Sequence, residues 1–358
     1  MAAALHTGFQ SLPIVDVSGL YSADPAARQR TADQLGLAAR QAGFFYATGH
    51  GVSSESSARL LLQAKAFFAQ PSAEKMALYI GKSANHRGYV PPGEEVFYGG
   101  SRDQKEAFDL CAELPPDDPD VLAGTPLLGP NVWPELPGFR ADVSRYYAEV
   151  FELGRVLLAG FAVSLGLPAS RFEPFITKPP SQLRLLHYPA SGAASDATEL
   201  GIGAHTDYEC FTILLPTEAG LQVMNGHGEW IEAPPIAGAF IVNIGDLLEI
   251  WSNGELIATS HRVRRVQQER YSFPLFFACD YHTRVAPLPE LVSESRPAAY
   301  AAVIAGEHLF AQTAQSFTYL KQRLARGELA LPGDAHPLSS FGQEARKSPA
   351  ERRPRTQP

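Results

Sequence analysis

The stretch Gly203-Ala204-His205-Thr206-Asp207-Tyr208-Glu209-Cys210-Phe211-Thr212-Ile213-Leu214-Leu215 decides the architecture. Its second half is a short apolar strand. Just before it, a His-x-Asp pair can place an imidazole and a carboxylate on one face of an extended chain. Runs of similar length and period-two character flank it at 221–224, 240–244, 261–266 and 271–279, with turn residues at close intervals. Many short strands between tight turns predict a barrel or double-sheet jelly roll. The expected class is α+β: a double-stranded β-helix (jelly-roll) core flanked by helices.

Outward from this core the helices follow from their end signals. Asp24-Pro25 is an N-cap followed by proline at the first helical position, and Gly43 is the matching stop. Residues 12–16 and 44–48 read as strands, 54–70 as a helix ended by Pro71, and 81–109 as an extended, partly irregular segment. Val143, Tyr147, Val150, Phe151, Gly154, Leu157, Leu158 and Phe161 recur at helical spacing and predict a long helix over 137–165. A final helix is expected over 297–326. The division is an N-terminal helical and strand region at 1–120, the jelly-roll core with its long and C-terminal helices at 121–342, and a disordered tail at 343–358. That tail sets Arg346, Lys347, Arg352, Arg353 and Arg355 among prolines and polar residues.

Composition excludes several classes. In 358 residues, 45% hydrophobic and 19% charged fits a globular chain and neither a disordered nor a fibrous one. The 30 basic and 38 acidic residues leave −8, so no global basic field attracts nucleic acid or an anionic membrane. Cys111, Cys210 and Cys279 are too few and scattered for a disulfide framework or a cysteine zinc site, and read as core thiols in a reducing compartment. With no leader-like amino terminus and no run of about 18 apolar residues, the expected location is cytoplasmic. Oligomeric state is left open, with a monomer as the default.

The His205/Asp207 pair alone fits a turn whose aspartate accepts a backbone hydrogen bond as well as it fits a metal. His261 changes the balance, because it opens a later strand that a jelly roll can bring beside the pair. Two imidazoles and one carboxylate make a facial triad that leaves half of an octahedral ferrous ion open; zinc is the competing metal. Nine residues on, Arg270 and Ser272 project to one side of a strand and together suit a carboxylate, although a buried salt bridge would use the same arginine.

The run Gly203-Ala-His205-Thr-Asp207-Tyr208, then Gly220-Leu-Gln222-Val, Gly228-Glu-Trp230, Asn243-Ile-Gly-Asp246, Ser260-His261-Arg262-Val and Arg270-Tyr-Ser272, resembles the isopenicillin N synthase-like family of iron(II), 2-oxoglutarate-dependent oxygenases. Leu12-Pro-Ile-Val-Asp16, Gly43-Phe-Phe-Tyr46 and Gly49-His50-Gly51-Val match its opening region, and Gly306-Glu-His308-Leu to Phe317-Thr-Tyr319-Leu its closing helix. The resemblance implies His205, Asp207 and His261 as catalytic iron ligands, Arg270 and Ser272 as partners of the distal carboxylate of 2-oxoglutarate, and Tyr188 as a further cosubstrate contact. Leu186-His187-Tyr188-Pro189 departs from the Asn-Tyr-Tyr-Pro of plant members, leaving Arg184 or a water to take the place of the amide. The implied reaction oxidises a C–H bond of a small molecule, an amino acid or secondary metabolite, with release of succinate and carbon dioxide, and ascorbate is a further reductant.

Gly88-Tyr89-Val-Pro-Pro-Gly93-Glu94-Glu95-Val96 and Glu106-Ala-Phe108-Asp109 resemble a bacterial branch that includes the ethylene-forming enzyme. That resemblance implies Glu95 as a contact for a cationic amino-acid substrate; an ordinary solvated loop would carry the same glutamates. Tyr89, Phe97, Tyr208 and Phe277 are further candidate substrate contacts, with Tyr98, Phe211 and Trp251 as other candidate pocket walls. Two other readings stand beside this one: an iron oxidase of the same family that does not use 2-oxoglutarate, of the isopenicillin N synthase or aminocyclopropane carboxylate oxidase type, and a non-catalytic cupin-like binding protein.

Overall fold

A computed structural model describes residues 8–96, 105–190, 200–264, 268–333 and 335. Phe97, Tyr98 and the tail at 343–358 lie outside them. The chain opens with β1 (Ile14–Asp16), α1 (Pro25–Gln41) and β2 (Phe44–Thr48), then α2 (Ser54–Phe68) and α3 (Ser72–Ala77). Next come β3 (Gly88–Val90), β4 (Glu106–Cys111), α4 (Pro119–Leu122) and the long α5 (Phe139–Ser164). The strands β5 (Gln182–Tyr188), β6 (Leu200–His205), β7 (Phe211–Pro216), β8 (Leu221–Met224), β9 (Trp230–Glu232) and β10 (Phe240–Ile244) follow. After α6 (Asp246–Trp251), β11 (His261–Arg264) and β12 (Arg270–Phe277) complete the core, and α7 (Ala305–Ser316) and α8 (Thr318–Ala325) close the chain.

Eight strands form the major sheet in the order β1-β2-β10-β7-β12-β5-β4-β3, and four form the minor sheet in the order β6-β11-β8-β9. This is the expected jelly roll. The first 120 residues do not build a sheet of their own, since β1 to β4 extend both flanks of the major sheet. The expected single helix over 297–326 is two helices. Residue Phe317 between them is extended (φ −87°, ψ 131°), because its chain neighbours bond elsewhere: Thr318 N donates to Glu94 O at 2.9 Å.

Period-two alternation sorts the strands' side chains into two cores. On the helix-facing side, Phe45, Phe108, Leu183, Leu185, Ile213, Phe273 and Leu275 pack against the buried stripe of α5, among it Val143, Val150, Leu157 and Phe161. Between the sheets, Phe44, Leu186, Tyr188, Leu214 and Ile241 meet Leu221, Val223 and Val263. Two glycines permit the close approaches. Gly154 of α5 faces Phe277, where a Cβ would stand 2.3 Å from the ring. Gly43 ends α1 at φ +67°, and a Cβ there would sit 2.2 Å from Ile257 O. No helix among the described residues is long and apolar enough to cross a membrane.

Candidate active site

β6 and β11 pair so that His205 and His261 are direct partners, with ring centroids 4.3 Å apart. Asp207 follows β6 and completes the group. One ligand atom from each of His205, Asp207 and His261 lies within 4.8 Å of the others, the only such metal-competent group among the described residues. The ring Nδ1 atoms sit 2.8 Å from Gly203 O and 3.1 Å from Thr259 O. Those carbonyls accept a proton on each Nδ1, so each Nε2 turns toward Asp207 Oδ1, at 3.6 and 3.5 Å.

The other carboxylate oxygen is held from behind. Thr212 Oγ1 and Asn243 Nδ2 both donate to Asp207 Oδ2, at 2.5 and 2.6 Å. These two residues are themselves paired across β10 and β7. Asp207 therefore presents one oxygen to the triad and keeps the second for the protein, which leaves room on the open side for other ligands. Burial would raise the Asp207 carboxyl, but the facing His261 and His205 rings and the Thr212 hydroxyl hold it well below the usual carboxylate range. Burial lowers His205 to about 4, whereas at His261 burial is outweighed by the facing Asp207 carboxylate, which raises it. An ionised carboxylate and neutral imidazoles are the forms that bind a metal, and the N,N,O donor set suits iron(II).

Nothing in the sequence argument marked Thr212 or Asn243 as functional, yet each is a polar residue inside an otherwise apolar strand, a readable signal. Asn243→Ala frees Asp207 Oδ2 of its amide donor. It is expected to weaken iron binding by about 10- to 100-fold, the range for residues that orient a metal ligand, as checked by anaerobic iron titration.

Arg270 pairs with Tyr188, and Ser272 with Leu186, in the β12–β5 ladder; all four face the space between the sheets. The guanidinium is 1% exposed and lies 4.8 Å from the Tyr188 ring centre. Its Nε donates to Glu218 O at 3.2 Å and its Nη2 to Ser272 Oγ at 3.4 Å. Nη1 is buried with no hydrogen-bond partner, and no carboxylate among the described residues lies within ion-pair distance. A buried, unneutralised fork next to a hydroxyl fits a carboxylate ligand.

Arg184 faces the same side as Leu186 and Tyr188, but its donors are engaged. Its Nη2 and Nη1 meet Glu95 Oε1 and Oε2 at 2.5 and 3.1 Å, and its Nε meets Asp109 Oδ1 at 2.8 Å. Lys105 Nζ adds a contact to Glu95 at 3.3 Å. The two residues singled out for different ligands are thus each other's partners, and Glu95 offers no uncompensated charge to a cationic substrate. Burial pushes Asp109 up to about 6, Arg184 only partly opposing it.

Strand alternation corrects two further candidates. Phe277 points to the helix side, stacked on Phe211 at 4.8 Å and Phe151 at 5.1 Å, so it is core and not a substrate contact. Tyr89 also faces that side, its hydroxyl donating to Glu106 at 2.6 Å and its ring 6.0 Å from Phe67. Phe211 and Trp251 are core as well, Trp251 lying 4.8 Å from Phe172. Tyr208 stays half-buried beside the triad, edge-on to His308 at 6.3 Å.

Comparison with known proteins agrees with this geometry. Residues 12–136 match the family described as non-haem dioxygenase in morphine synthesis N-terminal, and residues 179–278 the 2OG-Fe(II) oxygenase superfamily. A 2-oxoglutarate-Fe(II) type oxidoreductase of Emericella nidulans is 32% identical over 342 residues, covering 93% of this chain and 97% of that protein. A homoarginine-6-hydroxylase of Oryza sativa is 33% identical over 329 residues, covering 87% and 99%. A full-length Neurospora crassa protein solved with alpha-KG, another name for 2-oxoglutarate, superposes with TM-score 0.75 at 27% identity, over 91% of this chain and 99% of that one. The triad, the open arginine and these likenesses along nearly the whole chain make one case: the protein belongs to the 2OG-Fe(II) oxygenase superfamily and is an iron(II)- and 2-oxoglutarate-dependent dioxygenase.

Proposed function

We propose that His205, Asp207 and His261 hold the iron and that Arg270 with Ser272 holds the distal carboxylate of 2-oxoglutarate, beside Tyr188. The carrying observation is Arg270 Nη1, a buried donor without a hydrogen-bond partner, on the face of β12 that lines the space between the two sheets. When bound, iron, 2-oxoglutarate and dioxygen together supply an oxidant for a C–H bond, with the cosubstrate leaving as succinate and carbon dioxide. What this chain contributes is placement. The two Nδ1–carbonyl bonds and the Thr212/Asn243 pair fix the three metal donors, while Arg270 neutralises a carboxylate in a space closed by Leu186, Leu214 and Val223. A reading without 2-oxoglutarate leaves that arginine charged, buried and unmatched, which is costly.

The substrate is a small molecule, and the homoarginine-6-hydroxylase relative supplies the first panel: homoarginine and other basic amino acids. The finer kinship with the ethylene-forming branch belongs to the same proposal, and its mark is ethylene in the headspace. The test incubates iron-loaded protein with 2-oxoglutarate and each panel member, following oxygen consumption and succinate. Succinate formed in step with oxygen is expected. Oxygen uptake without succinate would overturn the cosubstrate assignment.

A further inference from the structure

His187 lies on β5 between Leu186 and Tyr188, and its side chain points away from the site, to the helix side of the major sheet. There both ring nitrogens meet carboxylates: Nδ1 is 2.8 Å from Glu106 Oε1 on β4, and Nε2 is 2.9 Å from Glu269 Oε1, the residue before Arg270. The ring is stacked on Tyr271 at 4.8 Å and lies 5.3 Å from Phe68 of α2. Tyr271 Oη donates to the same Glu269 oxygen at 3.1 Å. Glu106 is anchored in turn by Lys75 Nζ and Tyr89 Oη, both at 2.6 Å.

This clamp sits where the ladder needs one. Between β12 and β5, Arg270 pairs with Tyr188, Tyr271 with His187 and Ser272 with Leu186, and pairing resumes only at Leu275 with Leu183. Pro274, which has no N–H to donate, falls in the gap. The register is the same on both sides of this gap, and on the other edge β12 pairs with β7 from Ser272 to Phe277, so Arg270 and Tyr271 lie just before the stretch paired on both edges. The grip on Glu269 holds the first of them from behind, one residue from the guanidinium.

We propose that His187, by bridging Glu106 and Glu269, is a positioning residue that fixes the start of β12 and so aims Arg270 and Ser272 at the cosubstrate carboxylate. This rests on the assignment of that carboxylate to Arg270. His187→Phe keeps the stacked ring and removes both hydrogen bonds; Glu269→Ala removes the partly exposed end of the bridge. Anaerobic titration of iron-loaded protein with 2-oxoglutarate, read by the visible absorption of the chelated keto acid, gives its affinity, and a separate titration gives that of iron. Each variant is expected to bind 2-oxoglutarate about tenfold more weakly, with iron affinity and melting temperature close to wild type. The double variant is expected to be no worse than His187→Phe, because both act through one contact. Glu269→Gln, whose amide oxygen still accepts from the ring, is expected to restore binding. Unchanged 2-oxoglutarate affinity in both single variants overturns the proposal, and so does a parallel fall in iron affinity and melting temperature. Arg270→Ala run beside them separates the two levels: if it binds 2-oxoglutarate normally, the underlying carboxylate assignment fails, whereas loss there with normal His187 and Glu269 variants sinks only the clamp.

Discussion

Arg270→Ala is expected to weaken 2-oxoglutarate binding by about 100- to 1,000-fold while iron binding stays at the wild-type level. The size follows from burial. The guanidinium is 1% exposed, so a carboxylate seated against it is desolvated, and removing the cation leaves that anion buried without its charge partner. Arg270→Lys is expected to fall between the two, because an ammonium keeps the charge and loses the planar fork. The unliganded protein should respond in the opposite sense. Nη1 is already an unsatisfied buried donor, so the alanine variant sheds a desolvation penalty and its melting temperature holds or rises. Weaker binding together with undiminished stability is the joint signature, read by anaerobic titration and thermal unfolding. A variant that loses both would mark Arg270 as a structural residue.

Asp207→Ala is expected to lose iron through anaerobic desalting and to abolish succinate formation, measured by metal analysis and product assay. Its effect on metal affinity should exceed about 100-fold, since residues that only orient a ligand already cost up to that much. Stability should fall as well. Thr212 Oγ1 and Asn243 Nδ2 are buried donors whose shared acceptor is Asp207, and stranding them costs about 1–3 kcal/mol each. Asp207→Asn separates the effects, because an amide oxygen can still accept from both while the charge that attracts the cation is gone. The asparagine variant should therefore recover most of the stability and none of the iron.

The triad was legible in the sequence because its chemistry is compressed into short motifs. His-x-Asp, a later strand-opening histidine and an Arg-x-Ser strand carry their geometry in the spacing, and the two-residue repeat of a strand puts Arg270 and Ser272 on one side whatever surrounds them. The second layer was not legible as function. Thr212 and Asn243 come from strands separated by two others in the chain, and only the β10–β7 register makes them partners behind Asp207. Glu95 and Arg184 show the opposite failure. Each is a plausible ligand contact on its own, and distance along the chain hides that they form an ion pair at 2.5 Å.

Phe277 and Tyr89 mark a further boundary of what pattern can say. An apolar strand covered on both faces does not reveal which face meets the site, since both are hydrophobic. Gly154 decides it for Phe277 by opening a seat on α5, and Phe67 with Glu106 decides it for Tyr89. The amino-acid sequence by itself pointed to the strand pattern, the helices with their end signals, the His-x-Asp pair and the arginine–serine pair, because each is carried by residues within a short window, whereas His261 joins His205 only through the β6–β11 pairing. Tertiary structure alone decided which charges are spent on one another, which aromatics are core, and that His187 bridges Glu106 and Glu269, because those depend on the pairing of strands distant in the chain.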